Sequence, residues 1–128
     1  MGFSKPALQV IEDFARSMEI HQISPASDGS VTFDIERAGL LCFTRAQNEY
    51  RILISLKRPH ANAQLDDLKR FMALSRWDSF LGVTINAGMS VDGGFVLVAS
   101  VEEPRLNLQI VEECLDRLIA LHDAGQTP

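Results

Sequence analysis

The sequence predicts an α+β fold: one mostly antiparallel sheet with helices packed on one face, in the order α-β-β-β-α-β-β-α. Three observations carry that prediction. Strand-like runs fall into two groups, three and then two, joined by short links. Helical apolar stripes stand at both ends and between the groups. The length, 128 residues, suits one domain over 1–128 with one core.

Ser4 is placed to cap a first helix from about Lys5 to Met18, with Pro6 tolerated in its first turn. Phe3 and Leu8 have the spacing of a hydrophobic staple. Leu8, Ile11, Phe14, Ala15 and Met18 recur as one apolar stripe. The loop ISPASDGS follows, and then Val31, Phe33 and Ile35 alternate with Thr32 and Asp34 as a half-buried strand.

The stretch GLLCFTRAQNEYRILISL holds the next two strands, joined by polar residues Arg45 to Glu49. Its first run, Leu40 to Phe43, is apolar at four consecutive positions. Strand geometry turns Leu40 and Cys42 one way and Leu41 and Phe43 the other, so this strand wants cover on both sides. In the second run Ile52, Ile54 and Leu56 share a face.

Pro59 stops that strand. A second helix is expected from about Ala63 to Leu74, with Leu65, Leu68, Phe71, Met72 and Leu74 apolar. Asp66 and Asp67 come early and Lys69, Arg70 and Arg76 late, as the helix dipole favours. Trp77 and Phe80 follow. A fourth strand spans about Gly82 to Asn86, and Ala87 to Gly94 turns the chain, with Asp92-Gly93-Gly94 the strongest turn signal. The fifth, Phe95 to Val101, sets Phe95, Leu97, Ala99 and Val101 on one face and Val96 and Val98 on the other. It too wants cover twice. Pro104 ends it. Asn107 caps a last helix from about Leu108 to His122, with Leu106 and Val111 at staple spacing and GQTP as a frayed tail.

The net charge is −5 and no basic run is present, which argues against nucleic acid and against an anionic membrane as partners. No segment approaches the length of a membrane span, and MGFSKPALQ does not read as a signal peptide. Cys42 and Cys114 sit at apolar positions and read as buried free thiols, so a cytoplasmic protein is expected.

Chemistry is hard to find. His21, His60 and His122 lie far apart, with no second ligand at metal spacing, so no metal is expected. Gly88-Met89-Ser90 would need glycine at 92 for a nucleophile elbow, and Asp92 stands there. No P-loop ending follows. Asp66-Asp67 and Glu112-Glu113 are adjacent helix positions, about 100° apart, and read as solvated faces. The sequence therefore predicts a protein without catalytic residues and without a cofactor.

The second half reads LDDLKRFMALSRWDSFLGVTINAGMSVDGGFVLVASVEEPRLNLQIVEECLDRLI. A leucine-containing helix, a glycine-bearing strand, a turn, an apolar strand, a proline break and a closing helix succeed one another. With the element order, length and acidity, this resembles the type III secretion chaperones of Gram-negative bacteria, from about Leu8 to Leu121. Leu74-Ser75-Arg76 departs from the Leu-Asn pair that ends the second helix in many members.

The resemblance implies a small acidic cytoplasmic homodimer that acts without ATP or covalent chemistry. It would bind the N-terminal segment of a secreted effector in extended form and keep it soluble and export-competent. The client would cover apolar patches and can add a strand to a sheet edge. Surplus apolar positions name Leu41, Phe43, Val96 and Val98 as client-binding candidates. Leu68, Phe71, Met72, Trp77 and Phe80 are the candidates for the dimer interface. Two other functions compete: a regulatory adaptor of the same fold, binding another chaperone or a transcriptional activator, and a small-ligand or catalytic α+β domain. The last requires a closed polar pocket.

Overall fold

The computed structural model describes residues 2–20, 23–46, 50–60 and 64–126. Helix α1 (Lys5–Ser17) leads into β1 (Val31–Ile35), β2 (Gly39–Arg45) and β3 (Arg51–Arg58). Helix α2 (Leu65–Met72) precedes β4 (Arg76–Asp78), β5 (Val83–Met89) and β6 (Phe95–Glu102). A 3-10 turn (Glu103–Arg105) leads to α3 (Leu108–Gln126). The strands form one antiparallel six-stranded sheet, ordered β1-β2-β3-β6-β5-β4, and the α+β prediction stands.

Local chemistry sets the ends of these elements. Ser4 Oγ accepts from Ala7 N at 3.3 Å, and Asn107 Oδ1 accepts from Ile110 N at 2.8 Å, so both expected caps form. Asp67 closes the start of α2 by accepting from Gln64 N at 3.0 Å. The expected start at Ala63 lies outside the described residues, as does His21.

One added strand and three boundaries differ from the expected order. Arg76–Asp78 is a strand, too short to show periodicity in sequence. Strand β5 continues to Met89, since Gly88 keeps its place in the ladder opposite Val96. Helix α2 ends at Met72, and Leu74 follows in a turn whose N–H donates to Phe71 O at 3.0 Å. Helix α3 runs on past His122 to Gln126, and Gly125 packs against the end of α2 and the turn after it. A Cβ at Gly125 would stand 2.9 Å from Leu74 Cδ1.

The helices lie on one face of the sheet. Under α1, the rings of Phe14, Phe33 and Phe43 meet edge-to-face with centroids 5.7–5.9 Å apart. At the other end of the core Phe71 stacks on Phe95 at 4.5 Å and lies 5.3 Å from His122. His122 is buried, and its Nε2 lies 2.7 Å from Leu56 O. Burial holds its pKa below the usual histidine value, and the Arg58 charge adds to this. Arg58 ties three elements together. Its Nε donates to Ala38 O at 2.5 Å and its Nη1 to Asp123 Oδ1 at 2.7 Å. Cys114 is buried as expected, which pushes its thiol pKa up to about 11, whereas Cys42 is only half-buried.

Candidate functional site

No helix of the described chain packs on the second face of the sheet, and the register shows what that face carries. One row across it runs Asp34, Leu40, Lys57, Val96, Gly88. The next runs Thr32, Cys42, Ser55, Val98, Asn86, and a third runs Thr44, Leu53, Ser100, Thr84, Trp77. Leu40 and Cys42 on β2, Leu53 on β3, and Val96 and Val98 on β6 thus form a partly exposed apolar strip that Lys57 and Ser55 of β3 interrupt, with Asp34 and Thr32 at one margin. Such a surface can accept apolar side chains over β2 and β6 and hydrogen bonds at Lys57 and Ser55 between them.

Two of the four expected client-binding residues do not lie on this face. Val96 and Val98 do. Leu41 and Phe43 are wholly enclosed on the opposite face, where Leu41 pairs with Leu56 and Phe43 with Ile54 beneath the helices. The run LLCF offers apolar residues to both faces, so its own pattern is symmetric, and only pairing with neighbours breaks the symmetry. The signal was one strand away. Val31 and Phe33, the apolar side of β1, stand opposite Phe43 and Leu41, while Thr32 and Asp34 stand opposite Cys42 and Leu40. Leu40, Cys42 and Leu53 are the residues that strand parity passed over.

The expected interface residues also divide. Phe71 is buried between Phe95 and His122 and belongs to the core, which corrects its assignment to an interface. Leu68 is half-buried and packs against the core. Met72, Trp77 and Phe80 are exposed, at 44%, 63% and 81%. They lie on the last turn of α2, on β4 and just beyond it, beside the outer edge of the sheet. Exposed Leu65 belongs to the same helix and was not singled out.

A cleft of about 640 Å³ opens at the Leu40 end of the apolar strip, lined by Asp34, Leu40, Lys57, Pro59, His60 and Asp92. Lys57 Nζ donates to Asp92 Oδ2 at 2.9 Å, and this bond, with those from Ser90 Oγ and Gly94 N, holds the Asp92 carboxyl below its usual range. The pair fixes the β5–β6 hairpin against β3. Among the described residues, no group of three or more His, Cys, Asp or Glu is placed to hold a metal ion, and no helix is long and apolar enough to cross a membrane.

Similarity to known proteins agrees with this layout. The family model described as Type III secretory system chaperone SycN matches residues 8–125. The chain belongs to this family of type III secretion chaperones. Solved structures show that the chaperone shares its fold with proteins of little sequence identity. A chain of the HopA1-SchA chaperone-effector complex is 15% identical, with a TM-score of 0.68, over 94% of this chain and 93% of that one. A chain of the ExsC-ExsE complex is 15% identical, with a TM-score of 0.66, over 98% and 92%. A chain from the complex of the Yersinia pestis chaperone SycH with a YscM2 fragment is 13% identical, with a TM-score of 0.62, over 88% and 97%. No curated protein matches the sequence significantly.

Proposed function

We propose that this type III secretion chaperone holds the N-terminal segment of a secreted effector, in extended form, across the open face of its sheet. The observation that carries the reading is the strip of Leu40, Cys42, Leu53, Val96 and Val98, which no helix of the described chain covers. An extended segment places alternate side chains on one side, so its apolar positions can meet this strip. The outer edge of β1 stands beside the same face and offers main-chain hydrogen bonds to an added strand. Complexes such as HopA1-SchA, which join a chaperone of this fold to an effector, support the choice of partner.

The chaperone acts in this reading as a homodimer in the cytoplasm of a Gram-negative bacterium, without a cofactor and without covalent chemistry. Met72, Trp77 and Phe80 supply the exposed apolar surface for self-association, with Leu68 at its margin. The acidic balance keeps the unloaded protein soluble.

Co-expression with a secreted protein encoded beside the chaperone tests both parts. The expected product has two chaperone chains, each of 14.2 kDa, and an effector whose N-terminal segment alone resists protease. A monomer that leaves this segment fully cleavable would overturn the reading. Capture of a transcriptional activator with no export signal would replace the client with a regulatory partner.

A further inference from the structure

The cleft at the Leu40 end of the open face carries charges that divide unequally. Lys57 Nζ donates to Asp92 Oδ2 at 2.9 Å, while Asp92 Oδ1 accepts from Ser90 Oγ and, at 3.1 Å, from Gly94 N. Lys57 and Asp92 thus balance each other, and both oxygens of Asp92 are engaged. Asp34, contributed by β1, is exposed, and its carboxylate enters no hydrogen bond or ion pair among the described residues. It is left as the unpaired charge of the cleft. The lining also includes Leu40, Pro59 and His60, whose ring stacks on Phe95 with centroids 4.4 Å apart.

We propose that this cleft is a subsite for a cationic side chain of the client, arginine or lysine, with Asp34 as its counter-ion. The inference rests on the client reading proposed above. Leu40 and Pro59 take the aliphatic stem, and the charged head meets the Asp34 carboxylate. A client lying over the strip keeps water from the mouth of the cleft, which strengthens such a pair.

Charge decides between the occupants. An acidic side chain would face two carboxylates, and Lys57, the cation of the lining, is already held by Asp92. An apolar side chain would take water from Asp34 and give it no partner, a cost that a cation avoids. The cleft also continues the strip. Leu40 belongs to both, and Asp34, Leu40, Lys57 and Val96 stand in one row across the sheet. Side chains on one side of an extended segment recur about every 7 Å. A client with apolar residues over Val98 and then Val96 therefore brings its next inward side chain to the cleft. The expected client signature is apolar residues at alternate positions ending in Lys or Arg.

Calorimetry with the N-terminal segment of a secreted protein encoded beside the chaperone tests the inference. Asp34→Asn should weaken binding by about fivefold at low salt, a deficit that shrinks as salt is raised, and should leave the urea midpoint of the free chaperone unmoved. Each Lys and Arg of the segment is then replaced in turn by Gln. One replacement should weaken binding to the same extent and add nothing against Asp34→Asn. Glu at that client position should restore the affinity lost by Asp34→Lys. Unchanged or tighter binding by Asp34→Asn, as an apolar or an acidic occupant would give, would overturn the inference. So would additive effects at every client cation, a binding segment without Lys or Arg, or a fall in the urea midpoint of Asp34→Asn. A segment that does not bind the unaltered chaperone would remove the client reading itself, a result distinct from binding that ignores Asp34.

Discussion

Leu40 and Leu41 are neighbours on β2, chemically identical, yet Leu41 is sealed in the core and Leu40 is 37% exposed. The same holds along the strand, where Phe43 is enclosed and Cys42 half-buried. The difference comes from partners rather than from the residues. Leu41 and Phe43 continue rows that hold Leu56, Leu97 and Ile54, with helices above them. Leu40 and Cys42 continue rows that hold Lys57 and Ser55, with no helix of the described chain above them. One face of the sheet thus carries the core under the helices, and the other has no helix of the described chain over it.

Breaking the inner face should cost the most. Phe43→Ala removes a ring that touches Phe14 and Phe33, and should lower unfolding stability by about 3–5 kcal/mol in urea titrations. On the open face, Val98→Asp should leave the fold in place and weaken client binding by about tenfold or more in calorimetry, because it puts a charge into the apolar strip. If Val98→Asp unfolds the protein as Phe43→Ala does, the two faces are not distinct.

The inner face should also respond to pH. Burial lowers the folded-state pKa of His122, so the neutral ring is the form that fits. Its stabilising contribution is present above the unfolded value of about 6.5 and is lost as pH falls towards the depressed folded value. Asp123 opposes the shift and Arg58 adds to it. Urea midpoints should fall between about pH 7.5 and 5.5, and His122→Gln, which retains an N–H donor, should flatten that dependence. The smallest effect belongs to Leu40→Ser, which should change stability by less than about 0.5 kcal/mol. A larger loss would mean that the open face also supports the fold.

Much of this was legible in the sequence for local reasons. The caps at Ser4 and Asn107, the Asp92-Gly93-Gly94 turn and the two-sided apolar run of Phe95 to Val101 each depend on neighbours in the chain. The sites were less legible because they depend on pairing. Nothing within LLCF distinguishes its two faces, and only the register with β1 and β3 does so. Phe71 shares a helical stripe with Met72, yet α3 and Phe95 cover one and leave the other bare. Strand β4 takes its form from β5, and its three residues could not announce it.

The most direct test follows the methyl groups of both faces by NMR while the N-terminal segment of a secreted protein encoded beside the chaperone is added. The methyls of Leu40, Leu53, Val96 and Val98 should shift on binding, while those of Leu41, Leu56 and Leu97 hold their positions. Binding that leaves the first set unmoved would contradict a client seated on the open face.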